Sequence, residues 1–214
     1  MKRGVFITFE GPEGSGKSTQ VELLGKKLAA LTGTAPVLTR EPGGTPLAEE
    51  FRKILKHHPD TAGEPIHPLT EILLFEAGRV QNINCVIKPA LEAGRIVICD
   101  RFTDSTVAYQ GYARKNDIEI LKKLNAFVLD GLQIDLTILL DLPPGAGFAR
   151  ADKRPATRGI YDRLEAETIE FHHNVRRGFL ALAKEAPQRF RVFNAEEPPE
   201  LLAEQIFTEV RRVL

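Results

Sequence analysis

The sequence predicts an α/β fold in which a five-stranded parallel sheet is flanked by helices. Two observations predict it. Short apolar runs alternate with longer stretches of helical period, which is the pattern of β–α–β units, and a glycine-rich loop joins the first apolar run to the first helical stretch. The apolar runs predict strands at residues 5–9, 37–38, 96–99, 136–140 and 190–193.

The stretches between these strands predict helices that cover the sheet. In three of them apolar residues recur every three or four positions, so each helix presents one apolar face. Residues 69–92 contain no proline before Pro89, and we expect one long helix there. The recurring apolar positions are Val21, Leu24, Leu28 and Leu31; Phe171, Val175, Phe179 and Leu182; and Leu202, Ile206, Val210 and Val213.

Length and composition predict a single domain over residues 1–214. Lysine and arginine together number 29, as do aspartate and glutamate, so no overall field attracts nucleic acid or an anionic membrane. No apolar run approaches the roughly 20 residues that a membrane-spanning helix needs. Cys85 and Cys99 are too few for a disulfide framework, and we expect both to be small buried residues of a cytoplasmic protein.

The first connection has the pattern of a phosphate-binding loop, between a predicted strand and a predicted helix as this motif requires. Its backbone N–H groups and the helix N-terminus would bind nucleotide phosphates. Lys17 would reach the β- and γ-phosphates, and the Ser18 hydroxyl would hold Mg²⁺. The alternative is a tight glycine turn with a solvated lysine. The nucleotide-binding residues are Gly11, Pro12, Glu13, Gly14, Ser15, Gly16, Lys17, Ser18 and Thr19.

The third predicted strand ends in Asp100 and Arg101, and this pair separates the possible phosphate chemistries. The sequence has no Asn-Lys-x-Asp segment of the kind that reads guanine in signalling GTPases. Motor ATPases usually have Asp-Glu where this chain has Asp-Arg. Asp100 would support Mg²⁺ through water or polarise an acceptor, and Arg101 offers a planar fork for a second phosphate. The pair favours transfer to a phosphorylated acceptor, the alternative being a surface ion pair.

With these motifs the chain resembles the bacterial thymidylate kinases, in the family's order and spacing from the first strand to residue 165. The resemblance implies a three-layer P-loop NTPase fold and transfer of the γ-phosphoryl group of Mg·ATP to dTMP, giving dTDP and ADP. The segments that carry it are Phe9-Glu10-Gly11 with the phosphate loop, Thr39-Arg40-Glu41-Pro42-Gly43-Gly44-Thr45, Leu73-Leu74-Phe75 with Arg79, Asp100-Arg101-Phe102 through Ser105 to Ala108-Tyr109-Gln110-Gly111, and Asp162-Arg163-Leu164-Glu165.

The resemblance also implies roles in the acceptor site. The ring of Phe75 would stack on thymine, and Arg79, on the same helix face, would bond a carbonyl edge of the base. Arg40 and Arg101 would hold the acceptor phosphate, and Glu13 would face the deoxyribose hydroxyl. The alternatives are ordinary core for Phe75 and a solvated polar face for the next helix. That helix would carry, on one face with Arg101 and near base and sugar, Ser105, Thr106, Tyr109 and Gln110.

The charge that neutralises the transferring phosphoryl group is expected from a basic loop after the fourth strand. Some family members place an arginine where this chain has Gly14, and here Lys153 and Arg154 lie in that later loop with two arginines. We expect a mobile lid at about residues 150–160 that brings an arginine over the phosphates. A solvated basic loop is the alternative. The expected catalytic residues are Lys17, Asp100, Arg101, Arg150 and Arg158.

The resemblance further implies a homodimer that pairs through helices, and residues 69–92 are the expected contact. Two other functions stay open at the level of sequence. A kinase of another nucleotide or of a deoxynucleoside would need a carboxylate near a free 5′-hydroxyl. Arg40 and Arg101 instead suit an acceptor that already carries a phosphate. A non-catalytic nucleotide switch would have no reason to bind both a nucleoside diphosphate and dTMP.

Overall fold

The computed structural model describes residues 3–57, 64–151 and 163–214, without the side chains of His57 and Ala151. The described residues form a five-stranded sheet with the order β2-β3-β1-β4-β5, and each neighbouring pair is parallel. The predicted sheet is confirmed, with bounds within two residues of those expected. The strands are β1 (Phe6–Glu10), β2 (Val37–Arg40), β3 (Val97–Asp100), β4 (Leu136–Asp141) and β5 (Phe190–Asn194).

Helices lie on both faces of this sheet. In one layer α1 packs against α9, and the other layer contains α3, α6 and α8. The helices are α1 (Lys17–Thr32), α2 (Pro46–His57), α3 (Pro68–Asn82), α4 (Lys88–Glu92), α5 (Thr103–Thr106), α6 (Ile118–Leu129), α7 (Pro144–Ala151), α8 (Ile169–Glu185) and α9 (Pro199–Val210).

The core divides into clusters because side chains of a strand alternate between the two faces. Ile7 and Phe9 join the cluster under α1 and α9, whereas Phe6 packs on the opposite face against Phe102. The predicted apolar stripes are buried except for Leu31, which is exposed, and Val213, which is half-buried. The stripe of α8 forms the third cluster, in which Phe171, Val175, Phe179 and Leu182 contact Tyr109 and its neighbours.

The predicted long helix at residues 69–92 is helical throughout, with one irregularity. A π-helical turn, Ile83–Ile87, separates α3 from α4. Pro89 has no amide hydrogen, and its ring crowds the carbonyl four residues earlier, so a wider turn before it is a physical way to continue the helix. Cys99 is buried as expected, but Cys85 lies on the outer side of this turn and is exposed, so that part of the prediction is wrong.

No helix in the described part of the chain is long and apolar enough to cross a membrane.

Candidate active site

The phosphate loop occupies the turn between β1 and α1, at the carboxyl edge of the sheet. Gly11, Gly14 and Gly16 adopt positive φ angles of 145°, 73° and 87°, which glycine adopts without steric cost. Gly14 has a second constraint, because a Cβ atom there would lie 2.4 Å from the backbone oxygen of Gly147 on α7. The loop therefore packs directly on α7, and an arginine at position 14 would require α7 to move.

Lys17 points back across the loop from the first turn of α1. Its Nζ donates to the carbonyl oxygens of Gly11 at 3.0 Å and Pro12 at 2.8 Å, and to Ser15 Oγ at 3.2 Å. Burial, with the Arg101 guanidinium nearby, lowers the pKa of Lys17 to about 8. The ammonium group is thus held at the centre of the loop, where phosphates carried by the loop amides would meet it.

The end of β3 brings a carboxylate to the start of α1. Ser18 Oγ donates a hydrogen bond of 2.8 Å to Asp100 Oδ2. β3 lies beside β1 in the sheet, with Asp100 in register with Phe9, so the pairing of the two strands places these oxygens together. A hydroxyl and a carboxylate at the phosphate loop suit Mg²⁺, which takes oxygen ligands and keeps several waters.

Arg101 lies in the turn after β3, between the loop and α5. Its Nη2 donates to Glu13 Oε1 at 2.5 Å, and its Nη1 donates to the Gly11 carbonyl at 3.0 Å and to Ser105 Oγ at 3.3 Å. Its guanidinium also stacks on the ring of Tyr109, whose hydroxyl donates to Glu13 Oε1 at 3.3 Å. Burial alone would raise the pKa of Glu13, but Arg101 and then Lys17 outweigh it and lower that pKa to about 2.

The expectation that Arg101 shares a helix face with Ser105 and Tyr109 is wrong in its geometry. Arg101 precedes the helix with a φ of 69°, a left-handed conformation that is uncommon for residues other than glycine. Tyr109 lies in a π-helical turn, Val107–Ala113, not in an α-helix. The three side chains nevertheless lie close together. Arg101 contacts Glu13, Ser105 and the ring of Tyr109. Ser105 also bonds Glu10, and Tyr109 also bonds Glu13.

Arg79 is the centre of a buried network on α3. Its side chain is 1% exposed. Its Nε donates to Glu41 at 2.8 Å, Nη1 donates to Glu76 at 2.6 Å and Asn125 at 2.7 Å, and Nη2 donates to Thr106 Oγ1 at 2.9 Å. A guanidinium has five N–H donors, so within the described residues one N–H of Nη2 is left for a ligand.

These groups surround a cavity of about 650 Å³ that opens between the loop and α3. The half-buried ring of Phe75 lines it together with Arg79, Gln110 and Tyr109 at one end, and the phosphate loop lines the other end. Most of the predicted site residues therefore meet in one place. Further lining comes from Thr19, Gln20, Arg40, Glu41, Pro42, Arg52, Lys56, Phe102, Arg150, Leu164, Glu165, Ala195, Glu197, Pro199 and Leu202.

Residues 9–206 match the family model described as thymidylate kinase. The chain belongs to the thymidylate kinase family. It is 48% identical to the thymidylate kinase of Desulfovibrio desulfuricans over 92% of this chain and 90% of that protein. It is 47% identical to the thymidylate kinase of Deinococcus radiodurans over 98% of each. The crystal structure of thymidylate kinase from Ehrlichia chaffeensis is similar over 98% of this chain and 99% of that one, with a TM-score of 0.77 and 35% identity.

Two arginines that the sequence singled out are hydrogen-bonded to other groups of the protein. Arg40, at the end of β2, donates from Nη2 to both carboxylate oxygens of Glu49 at 3.1 Å and stays largely exposed. Arg150 lies on the last turn of α7, not in a loop as expected, and its Nη1 donates to the Ala195 carbonyl at 2.8 Å. Arg158, with Lys153, Arg154 and Asp162, lies outside the described residues.

Sequence reasoning missed the role of Glu10. This carboxylate at the end of β1 is fully buried and accepts hydrogen bonds from Phe102 N at 2.9 Å, Ser105 N at 3.3 Å and Ser105 Oγ at 2.6 Å. Burial and the neighbouring Asp104 raise its pKa to about 8. Glu10 thus fixes the turn that carries Arg101 and ties down Ser105, and a charged residue closing an apolar strand was the signal for it.

Asn82, at the end of α3, supports the same site. Its Oδ1 accepts from Thr39 Oγ1 at 2.8 Å and its Nδ2 donates to Glu41 at 3.5 Å. Glu41 is 5% exposed, and burial raises its pKa to about 7 although Arg79 opposes that rise. The side chain of Asn82 also lies where a Cβ atom on Gly44 would be, 2.7 Å away, so it shapes the turn after Arg40.

Proposed function

We propose that the two ends of the cavity bind donor and acceptor for the reaction of the family. The chain is an ATP-dependent kinase that transfers the γ-phosphoryl group of ATP to dTMP, giving dTDP and ADP. The observation that supports this arrangement is the position of Arg101. It lies between the phosphate loop and the aromatic end of the cavity, hydrogen-bonded to the loop through Gly11 and Glu13.

At the donor end the loop amides and Lys17 bind the β- and γ-phosphates. Lys17 already sits inside the loop, and incoming phosphate oxygens replace the carbonyl and hydroxyl oxygens that it now contacts. The attacking group is a phosphate oxygen of dTMP, which needs no general base. Catalysis is therefore by positioning and charge neutralisation.

Mg²⁺ fits beside Ser18 and Asp100. The described residues contain no group of three or more His, Cys, Asp or Glu that could hold a metal. The ion would be held by the Ser18 hydroxyl, by Asp100 directly or through water, and by phosphate oxygens. When bound, Mg²⁺ neutralises charge on the phosphates. The hydrogen bond of 2.8 Å between the two side chains already holds them at one position.

At the acceptor end the phosphate of dTMP lies against Arg101 and Arg40. Glu13 keeps its negative charge at neutral pH because its pKa is about 2, and it accepts from the deoxyribose hydroxyl while Tyr109 packs against the sugar. A ribose 2′-hydroxyl would have to fit against that buried ring. Ser105 holds Arg101 in place through its bond to Nη1.

The base stacks on Phe75, which tolerates any flat ring, so selectivity comes from polar edges. The remaining N–H of Arg79 Nη2 donates to the carbonyl that thymine and uracil have where cytosine has an amino group, next to the Thr106 hydroxyl that the same nitrogen contacts. A buried guanidinium that faces an amino group leaves donors unpaired, at a cost of about 1–3 kcal/mol or more. The 5-methyl group adds about 1–3 kcal/mol.

Arginines after β4 supply the remaining positive charge that neutralises the transferring phosphoryl group. Arg150 lines the cavity and donates to the Ala195 carbonyl, which supports a role for it at the donor end. Arg158 is the other candidate, and the function of residues 150–160 as a lid of a single-domain enzyme stays a prediction.

The protein acts as a homodimer in the cytoplasm. α3 exposes Leu69, Leu73 and Val80, with exposed fractions of 56%, 52% and 40%. These residues are spaced four and seven apart along the helix and so share one outward face. A second copy of the chain covers that stripe, helix against helix.

Steady-state kcat/KM for dTMP, dUMP, dCMP and dAMP tests the acceptor assignment. We expect dTMP to exceed dUMP modestly and both to exceed dCMP strongly. Phe75→Leu is the matched control, because weaker stacking lowers the values for both pyrimidines that carry the carbonyl without changing the order. Equal use of dCMP and dTMP would refute the role of Arg79. Thermal shifts with ADP alone and with dTMP alone separate a kinase from a switch, since a switch has no reason to respond to both.

A further inference from the structure

A buried carboxylate with no role in the site described above lies one turn before Phe75. Glu71 on α3 is 1% exposed. Its Oε1 accepts from Gln110 Nε2 at 2.9 Å and from Arg114 Nε at 2.8 Å, and its Oε2 accepts from Arg163 Nη2. Burial would raise the pKa of Glu71, but the Gln110 hydrogen bond and the two arginines lower it overall. The carboxylate is therefore ionised at neutral pH and acts only as an acceptor.

This fixes which way the Gln110 amide points. A side-chain amide has a donor NH₂ and an acceptor oxygen, and its orientation follows from its hydrogen-bond partners. Only the NH₂ group can face an ionised carboxylate. A flipped amide would set its oxygen against Glu71 Oε1, an acceptor against an acceptor in a buried site. The carbonyl oxygen of Gln110 is thereby held on the side away from Glu71.

The held oxygen belongs to the base end of the cavity. Gln110 is 1% exposed and lines the cavity with Phe75, Arg79 and Thr106. Across the described ranges, no donor is hydrogen-bonded to Gln110 Oε1. The backbone at this position is also fixed, because Asn116 donates from Nδ2 to the Gln110 carbonyl at 2.6 Å.

The chemistry of pyrimidines makes such an acceptor selective. N3 of thymine and uracil carries a hydrogen and donates, whereas N3 of cytosine is an acceptor. We infer that Glu71 is a specificity-determining positioning residue, which holds the Gln110 amide with its oxygen toward the base and so favours bases with a donor at N3. This rests on the proposed function in one respect, that the base of the acceptor nucleotide lies at the Phe75 end of the cavity.

Glu71→Gln tests the inference because it gives position 71 one donor. If the new amide keeps its oxygen toward Arg163, its NH₂ faces both Gln110 and Arg114. Arg114 then turns from position 71 and keeps Glu167 as its partner, and the Gln110 amide must turn its oxygen to the new NH₂ and present its own NH₂ to the base. If it keeps its oxygen toward Gln110, its NH₂ faces Arg163 instead. The Gln110 amide is then no longer held in one orientation. We expect the ratio of kcat/KM for dTMP to that for dCMP to fall about tenfold or more, as for one hydrogen bond reversed.

Arg114→Gln is the matched control. Arg114 bonds the same oxygen of Glu71, so its loss perturbs the same buried cluster, yet an ionised carboxylate still faces Gln110. We expect a lower melting temperature and an unchanged dTMP-to-dCMP ratio. If Glu71 only stabilised the fold, both variants would lower the melting temperature and would change the dTMP-to-dCMP ratio to the same extent. An equal change of the ratio in both variants would therefore overturn the inference.

The other outcomes are equally decisive. If the wild-type protein does not discriminate against dCMP, the proposed reading of the base fails, whatever Glu71 does. If it discriminates and Glu71→Gln keeps the same ratio, this inference alone fails. Should that variant not fold, a structure of the wild-type protein with dTMP decides, with N3 expected within about 3.2 Å of Gln110 Oε1 and Nε2 still on Glu71. A base whose N3 pairs with another acceptor overturns the inference.

Discussion

The affinity of the protein for ADP should fall as the pH rises past 8, because of Lys17. In the free protein Lys17 is 7% exposed, and burial with the nearby Arg101 lowers the pKa of its ammonium group to about 8 from an ordinary value of 10.5. Phosphates bound at the loop bring negative charge against it and favour the charged form. ADP therefore binds best to the protonated protein, and above pH 8 its binding must be accompanied by proton uptake.

The magnitude follows from the titration of one group. With a pKa of about 8, Lys17 is charged in about 90% of free molecules at pH 7 and in about 10% at pH 9. Binding that requires the charged form then weakens about tenfold between these two pH values, or about 1.4 kcal/mol. The number of protons taken up with ADP rises over the same interval from about 0.1 to about 0.9.

Calorimetric titration of Mg·ADP at pH 7 and 9, in buffers of different ionisation enthalpy, measures both quantities. Lys17→Arg is the control, because a guanidinium stays charged at both pH values and should remove the dependence. The pKa of Glu10 is also about 8, so Glu10→Gln is needed and should keep the tenfold change. A Lys17→Arg protein whose affinity still falls tenfold would refute the reasoning.

Three further perturbations have expected outcomes. Glu13→Gln should weaken the acid destabilisation, because a carboxylate whose pKa is about 2 when folded contributes stability above its ordinary pKa of 4.5 that is lost as the pH falls toward 2; the difference between the free energies of unfolding at pH 7 and pH 3, measured by denaturant titration, should shrink by about 2 kcal/mol relative to wild type. Gly14→Ala should lower the melting temperature more than Gly16→Ala, since both have positive φ but only position 14 meets the Gly147 oxygen; equal losses would contradict that contact. Leu73→Glu should give a monomer in sedimentation at micromolar concentration, where we expect a dimer from the wild-type protein.

The parts that sequence predicted best are those that depend on neighbours in the chain. The phosphate loop is a local motif, and its strand and helix follow from apolar periodicity, so Lys17 and Ser18 lie where expected. The strands were found because parallel strands buried on both faces are continuous apolar runs. The contact between Ser18 and Asp100 was also within reach, since adjacent parallel strands bring their carboxyl ends to one edge.

The parts that sequence could not predict depend on contacts between distant segments. Arg79 was expected beside Phe75 from helix spacing, but its partners Glu41 and Asn125 lie 38 and 46 positions away, and no periodicity connects them. Arg101 was assigned to a helix face because its spacing to the following polar residues is helical. Its positive φ depends on hydrogen bonds made to the loop and to β1, which the spacing does not contain.

The arginines of the acceptor site differ in a way that fits their proposed roles. Arg40 and Glu49 form an ion pair whose side chains are 55% and 33% exposed, and such pairs contribute little to stability, about 0–1 kcal/mol. A phosphate dianion can therefore displace Glu49 from Arg40 at small cost. The side chains of Arg79 and Glu41 are 1% and 4% exposed. Removing one partner of such a pair leaves an uncompensated buried charge, which costs about 3–5 kcal/mol of stability. A ligand cannot displace Glu41 and Glu76 from Arg79, so Arg79 presents its remaining N–H from a fixed position. The exchangeable pair suits a phosphate that arrives and leaves, and the fixed pair suits the reading of a base edge.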